Sequence, residues 1–317
     1  MEAPGSARPA HGEAPLLGFE SRVVELDGPV HYADFGGTGR PVVLVHGLGG
    51  SHLNWAAVGT RLAAHGHVMA LDLAGHGRTG GPRGSSRVGS NRRLLHRFLE
   101  RLAPEPAVLI GNSMGGYLSL AEAAAAPERV AALVLVDPAL PLVRGARVDR
   151  QVLALFAASA VPLLGGVLVR SRFGREPERM VRDMLALCCV DPSRVPPDVY
   201  AAHVELARWR LTLGGATGRE FLAAQRSLMN RLLRPRHFWR MVEAVRAPAL
   251  VVQGDRDRLV HVEAARALAA ARPDWRLAVL EGVGHVPQLE VPERFLAVAA
   301  PWLDAHGAPR RGAGEGA

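Results

Sequence analysis

One serine in this chain lies in a sequence context that favours covalent chemistry. Residues 111–116 read Gly-Asn-Ser-Met-Gly-Gly, a short apolar run precedes them at 106–110, and a segment rich in helix formers follows at 117–126. The order strand, tight turn, helix predicts a strained serine at a sheet edge, with the free N–H groups of a helix beneath it. We interpret Ser113 as a nucleophile; a plain surface turn is the alternative.

A serine hydroxyl needs a general base in hydrogen-bond reach, and the base needs an orienting carboxylate. His285 follows the last predicted strand in a glycine-flanked loop, and we expect it to be the base. For the orienting acid, Asp257 and Asp255 both follow the preceding strand, and Asp137 follows an earlier one. We favour Asp257 and expect Asp255 to cap or brace its loop. Asp137 stays a third candidate, or a residue that shapes the turn before a proline.

Acyl transfer also needs two N–H donors for the developing oxyanion. The N–H of Met114 follows the nucleophile directly, and that of Leu48 lies in the glycine-rich loop after a buried strand. We predict these two as the donors. The supporting residues of the predicted site are His46, Gly47, Gly49 and Asn112.

The elements that must position these residues follow an alternating rhythm of apolar strands and helices, which predicts a mostly parallel central sheet flanked by helices. Ligands of such sheets bind outside the carboxyl ends of the strands. A polar residue follows six of the predicted strands at that end, which indicates one shared site. These residues are His46, Asp72, Ser113, Asp137, Asp257 and His285.

The rhythm breaks after Asp137 and resumes near His237, which predicts an inserted helical segment. We expect a disordered start at 1–17, an α/β core at 18–140 and 236–306, a helical insertion at 141–235, and a disordered tail at 307–317. Residues 141–240 contain 17 arginines and 8 acidic residues, so the positive charge of the chain, +8 in total, is concentrated in this segment. No exposed aromatic stripe or known module accompanies this charge, which argues against nucleic-acid binding.

The composition constrains chemistry and location. The chain contains no lysine, which excludes a lysine base or Schiff base. The two cysteines, Cys188 and Cys189, are adjacent and do not form a disulfide framework, and we see no signal peptide, so a cytoplasmic setting is expected. The apolar run 152–169, bordered by arginines, is short and broken for a membrane span. It leaves peripheral membrane contact through the insertion as a hypothesis.

Five motifs together resemble the α/β-hydrolase superfamily: His-Gly-Leu-Gly-Gly at 46–50, Asp-Leu-Ala-Gly-His-Gly-Arg at 72–78, the segment 111–116, Gly-Asp-Arg-Asp at 254–257, and Gly-His-Val-Pro-Gln-Leu-Glu at 284–290. The resemblance covers about 21–137 and 237–303. It implies the fold of that family with a lid inserted after the strand that ends at Asp137. It also implies Ser113 as nucleophile, Asp257 as acid and His285 as base, with no metal and no organic cofactor.

The expected substrate is a small-molecule carboxylic ester with an apolar acyl group. Ser113, where related enzymes attack through a carboxylate, argues against an epoxide hydrolase or a haloalkane dehalogenase. The segment 112–116 also resembles hydrolases that cleave carbon–carbon bonds of vinylogous diketones, although Val286 stands where those often have tryptophan. A non-catalytic ligand-binding protein on the same fold is the third hypothesis.

Overall fold

A computed structural model describes residues 17–306 except 82–84, 144–145, 147–148, 151, 153, 155–175 and 215. The described residues include one mixed sheet of eight strands. The strands are β1 (Glu20–Glu25), β2 (Pro29–Gly36), β3 (Pro41–Val45), β4 (His67–Leu71), β5 (Ala107–Asn112), β6 (Val130–Val136), β7 (Ala249–Gly254) and β8 (Arg276–Leu280).

The spatial order of the strands is β1-β2-β4-β3-β5-β6-β7-β8. Strands β1 and β2 form an antiparallel hairpin, and β2 also pairs antiparallel with β4. All the other strand pairs of the sheet are parallel. The sheet confirms the predicted fold class. Because β3 is flanked by β4 and β5, the chain changes direction across the sheet at β3. Such a switch point is where open α/β sheets bind ligands.

The helices cover both faces of the sheet and form part of the insertion. Their bounds are α1 (Gly59–Leu62), α2 (Val88–Leu102), α3 (Met114–Ala125), α4 (Pro177–Cys188), α5 (Pro197–Thr212), α6 (Ala216–Leu232), α7 (Pro235–Ala244), α8 (Val262–Ala271), α9 (Pro287–Glu290) and α10 (Pro292–His306).

The segment 53–64 does not form one continuous helix. The chain instead forms a 3₁₀ turn at His52–Trp55, the single turn α1 and another 3₁₀ turn at Ala63–His65. Ser51 caps the first turn in a capping box with Asn54. The Val-Gly-Thr sequence at 58–60 combines residues of low helix propensity, and a Cβ at Gly59 would lie 2.4 Å from the Phe35 ring. Local propensity and tight packing therefore break the helix.

Strand residues alternate between two hydrophobic clusters, one on each face of the sheet. Val43 and Val45 face the cluster that includes residues of α2, α3 and α7, whereas Val42 and Leu44 face the cluster of Trp55 with residues of α10. Burial of both faces explains why these strands read as continuous apolar runs. The result is a rigid frame for the loops at the carboxyl ends of the strands.

The described residues of 141–235 include the helices α4, α5 and α6. Val181, Leu185, Val199 and Val204 pack together with Leu289 of the core. The apolar run 152–169 falls almost wholly outside the described residues, as do the predicted disordered segments except Leu17. No helix among the described residues is long and apolar enough to cross a bilayer.

Candidate active site

Ser113 lies at the turn between β5 and α3, and its backbone conformation there is strained. Its φ is 55° and its ψ is −117°, outside the regions that L-residues prefer. The turn is tight because a Cβ at Gly115 would lie 2.0 Å from the carbonyl oxygen of Val45. The Ser113 N–H donates to the Val136 carbonyl at 3.0 Å, which fixes the turn against β6. The hydroxyl is thus held at the edge where β3, β5 and β6 end.

His285 meets Asp257 at the same edge. The ring Nδ1 lies 2.7 Å from Asp257 Oδ2. The other oxygen, Oδ1, accepts from the N–H groups of Leu259 at 2.7 Å and Val260 at 3.0 Å. Because Asp257 accepts at both oxygens, Nδ1 is the proton donor and Nε2 keeps its lone pair. This tautomer is the one that a general base requires.

The neighbouring carboxylate Asp255 points elsewhere. Its Oδ1 accepts from the Gly282 N–H at 2.7 Å and so ties the loop after β7 to the loop after β8. Of the two candidate acids after β7, the structure brings Asp257 to His285 and uses Asp255 in a loop contact.

Asn112 connects the serine turn to the histidine loop. Its Nδ2 donates to the backbone oxygen of His285 at 3.0 Å and to that of Val136 at 3.1 Å. Since Asn112 is the residue before Ser113, this amide links the backbone of the proposed base to the elbow. The sequence singled out Asn112 only as a supporting residue and did not specify this contact.

Asp137 lies beside Asp257 without being the partner of His285. It is fully buried, and its φ of 43° places it in the left-handed region. Its Oδ1 accepts from Gln253 Nε2 at 2.7 Å and from the Gly254 N–H at 2.9 Å. Burial, and then the nearby charge of Asp257, raise the pKa of Asp137 well above its usual range. A buried carboxyl group beside a carboxylate is favoured in the neutral form.

The loop after β3 approaches the serine closely. A Cβ at Gly47 would lie 2.9 Å from Ser113 Cβ, so only glycine fits there without a shift. His46 is fully buried and holds two loops, because its Nδ1 donates to the Gly47 carbonyl at 2.7 Å and its Nε2 accepts from the Leu73 N–H at 3.1 Å. Burial lowers the pKa of His46 to about 4. His46 is therefore neutral near pH 7, and both ring nitrogens are occupied.

The insertion also contacts this loop, because a Cβ at Gly49 would lie 3.1 Å from the ring of Phe221 on α6. Leu48 is partly buried against the hydrophobic cluster, and Met114 is fully buried at the start of α3. Both predicted oxyanion donors therefore belong to segments that flank Ser113.

A contact that the sequence did not reveal joins the insertion to the histidine loop. The His285 N–H donates to the carbonyl of Cys188, the last residue of α4, at 2.6 Å. Glu290 is buried, and its carboxylate accepts from Gly284 at 2.8 Å and from Val190 and Asp191 at 2.9 Å each. Glu290 lies in the motif at 284–290, but nothing in that motif indicates contact with residues of the insertion.

A second polar cluster surrounds Asp72, one of the six residues that follow the predicted strands. Its carboxylate accepts from the N–H groups of His52 at 2.7 Å and Arg78 at 2.8 Å, and from the ring Nδ1 atoms of His31 and His52. Burial lowers the pKa of the neighbouring His76 to about 3, and that ring donates to the Ala74 carbonyl. The Asp72 cluster therefore fixes the hairpin and the loop after β4.

Two sets of three residues have possible metal-ligand atoms within 4.8 Å of one another. One set is His31, His52 and Asp72, and the other is Asp137, Asp257 and His285. In both groups, imidazole Nδ1 atoms already pair with carboxylate oxygens of the same group. Hydrogen bonding accounts for both arrangements, and we assign neither to a metal.

A mostly parallel eight-stranded sheet, a serine on a strand–turn–helix elbow and a histidine–aspartate pair at one edge define a hydrolase of the α/β class. Comparison with known families agrees, since the α/β-hydrolase fold family matches residues 40–292. The chain belongs to the α/β-hydrolase family.

Curated relatives in this family carry out different chemistries. The dihydrolipoyllysine-residue acetyltransferase component of the acetoin cleaving system of Pseudomonas putida is 31% identical over 92% of this chain and 70% of its own length. A 2-hydroxy-6-oxononadienedioate/2-hydroxy-6-oxononatrienedioate hydrolase of Dechloromonas aromatica is 28% identical over 86% and 89%. Lipase 1 of Psychrobacter immobilis is 26% identical over 82% and 75%. The family is shared, whereas the bond that is cleaved differs among its members.

Proposed function

We propose that the protein hydrolyses carboxylic esters through an acyl-enzyme on Ser113, with His285 as general base and Asp257 as orienting acid. The observation that carries the proposal is the 2.7 Å contact between His285 Nδ1 and Asp257 Oδ2, in a loop that Asn112 ties to the serine elbow at 3.0 Å. It supports His285 as the base and Asp257 as its orienting acid, because the imidazole Nδ1 pairs with the carboxylate.

In this mechanism the Ser113 oxygen attacks the ester carbonyl while its proton passes to His285 Nε2. The N–H groups of Leu48 and Met114 stabilise the negative charge that develops on the carbonyl oxygen. The imidazolium then protonates the departing alcohol. A water molecule, deprotonated by the same ring, attacks the acyl carbon and releases the acid and free Ser113.

An apolar acyl group suits the side chains that lie over the elbow. Phe221 on α6 reaches the glycine loop beside the serine, and Leu48 of that loop adds a partly buried apolar side chain. The similarity to Lipase 1 of Psychrobacter immobilis also supports an ester substrate. We propose that the insertion acts as a lid over this acyl site.

The test is turnover of p-nitrophenyl esters of increasing acyl length by the wild type and by Ser113→Ala. We expect turnover to fall by roughly 10⁴-fold or more in the variant, since the nucleophile is lost. The control is Ser193→Ala on the protein surface, which should leave turnover unchanged. Equal turnover in wild type and Ser113→Ala would remove Ser113 from the mechanism.

A carbon–carbon hydrolase is the second candidate, favoured by the similarity to the Dechloromonas aromatica hydrolase over 89% of that protein. In such a reaction the same residues would act on a vinylogous diketone. The discriminating assay follows the loss of a coloured dienol substrate next to the ester series. Consumption of the dienol with esters untouched would replace the ester proposal.

A further inference from the structure

A second Ser–His–Asp chain lies outside the active site. Ser21 Oγ is 2.6 Å from His31 Nε2, and His31 Nδ1 is 2.7 Å from Asp72 Oδ2. These contacts link hydroxyl, imidazole and carboxylate in the order that activates a serine nucleophile. None of the three residues takes part in the proposed ester mechanism.

The fold brings these residues together through the N-terminal hairpin. In the β1–β2 register, Ser21 is opposite Ala33 and Val23 is opposite His31, so Ser21 and His31 are diagonal neighbours on one face. Asp72 directly follows β4, which pairs with β2 on the side of β2 opposite to β1. Ser21 is exposed, whereas His31 and Asp72 are 4% and 0% exposed. The hydroxyl therefore lies at the surface end of a buried relay.

The protonation pattern of the relay follows from its partners. Burial alone would raise the pKa of Asp72, but the adjoining His52 and His31 outweigh burial and hold that pKa well below its usual range. Asp72 is thus an ionised acceptor, and the His31 Nδ1 carries the proton that it receives. With the proton on Nδ1, His31 Nε2 faces the Ser21 hydroxyl at 2.6 Å as the acceptor of that hydrogen bond.

We propose that Ser21 is a second acylation site, an activated surface serine that accepts acyl or phosphonyl groups from small electrophilic donors. In the step, the Ser21 oxygen forms a bond to the acyl carbon or to phosphorus, and the bond to the alcohol or fluoride leaving group breaks. The hydroxyl proton passes to His31 Nε2 and then to the leaving group. The reaction does not require Ser113 and is independent of the proposed ester hydrolysis.

Ser21 reacts more slowly than an elbow serine, because it lies within the paired strand β1 and not at a helix N-terminus. Loss of preorganised oxyanion donors costs about 10²–10³-fold in rate. The adduct is also expected to persist, since attack of water on it passes through the same kind of oxyanion and is slowed for the same reason. Ser21 therefore behaves as an acceptor and not as a turnover centre.

The experiment uses a fluorophosphonate on full-length Ser113→Ala protein, with intact mass and peptide mapping as readouts. We expect slow addition of one phosphonyl group on the peptide that contains Ser21, and loss of that adduct in Ser113→Ala/Ser21→Ala. His31→Asn keeps an N–H that reaches Asp72 but removes the base, and should slow the labelling of Ser21 by at least about 10-fold.

Ser193 is the internal control, because it is exposed and its Oγ contacts the Asp191 carboxylate instead of an imidazole. A Ser21 peptide that stays unmodified, or that reacts no faster than the Ser193 peptide, would overturn the proposal. These outcomes need only the Ser113→Ala protein and so hold even if His31→Asn fails to fold. Failure of wild-type Ser113 to react would count against the ester mechanism alone.

Discussion

Replacement of Asp137 by asparagine tests whether the carboxyl group beside the proposed triad carries a proton. Asp137 Oδ1 accepts from Gln253 and Gly254, while Oδ2 is buried without a donor opposite it among the described residues and lies near Asp257. A proton on Oδ2 would satisfy this arrangement. Asparagine keeps the accepting oxygen and supplies N–H groups in place of the acidic proton.

The expected effect is a change in how stability depends on pH. Since burial and the charge of Asp257 raise the pKa of Asp137 in the folded state, the native protein holds a proton that the unfolded chain releases above about pH 4. This stabilisation is complete below the unfolded pKa and is lost as pH rises through the folded pKa. The wild type should therefore lose up to about 1.4 kcal/mol of unfolding free energy per pH unit relative to Asp137→Asn.

The assay is urea unfolding of both proteins at about pH 5, 6 and 7, with the difference in unfolding free energy plotted against pH. Asp137→Leu is the companion variant. It removes the side-chain acceptor of the Gly254 N–H and one of the acceptors of Gln253 Nε2, and should cost about 1–3 kcal/mol at every pH. A wild-type curve parallel to that of Asp137→Asn would refute a protonated Asp137.

The same variant separates the two acids in catalysis. Asp137→Asn should keep ester turnover within a few-fold, because it preserves a neutral side chain. Asp257→Asn should lower turnover by roughly 10⁴-fold, because the amide stabilises the wrong tautomer of His285. A loss of that size in Asp137→Asn with full activity in Asp257→Asn would exchange their roles.

Three further predictions use single substitutions. Gly47→Ala should lower kcat by roughly 10²-fold, because its Cβ would lie 2.9 Å from Ser113 Cβ and shift the glycine loop; circular dichroism checks that the fold is kept. Glu290→Gln should lower the unfolding free energy by about 1–3 kcal/mol in urea titrations, because an NH₂ group replaces one acceptor of three backbone N–H groups. Burial lowers the pKa of His203 to about 4 in the folded protein. The unfolded chain takes up a proton at this residue at higher pH, so the unfolding free energy falls as pH drops below about 6.5. His203→Gln should flatten that acid limb in unfolding titrations, and an unchanged limb would contradict the argument.

The sequence predicted the parts of the fold whose environment is uniform along the segment. β3 is buried at every residue and β6 at every residue except Ala131, so nearly all of their residues share one apolar environment. The segment 53–64 is different, because its structure depends on Phe35 packing against Gly59 and not on a periodic pattern. Low local propensity at 58–60 and a contact between distant segments together prevent one continuous helix here.

Contacts to the backbone were the least accessible from sequence. Ser113, Asp257 and His285 were predicted because each is a reactive residue type at the end of a strand. The carbonyl of Cys188, which receives the His285 N–H, has no signature in its side chain. Residue type reveals which side chains could react. The packing of the insertion determines which backbone carbonyl accepts the hydrogen bond from His285.

The proposed triad of Ser113, His285 and Asp257 and the chain of Ser21, His31 and Asp72 show what residue types leave undetermined. Both link an imidazole Nδ1 to an aspartate oxygen at 2.7 Å, and in both that tautomer leaves Nε2 as the acceptor. They differ in the backbone of the serine: Ser113 has φ 55° at the start of α3, whereas Ser21 lies in a regular strand. Only Ser113 stands at the start of a helix, where the first backbone N–H groups have no intrahelical partner and could stabilise an oxyanion. We therefore expect the backbone conformation at the serine to determine whether the site turns over substrate. The histidine–aspartate pair determines only whether the serine oxygen can act as a nucleophile.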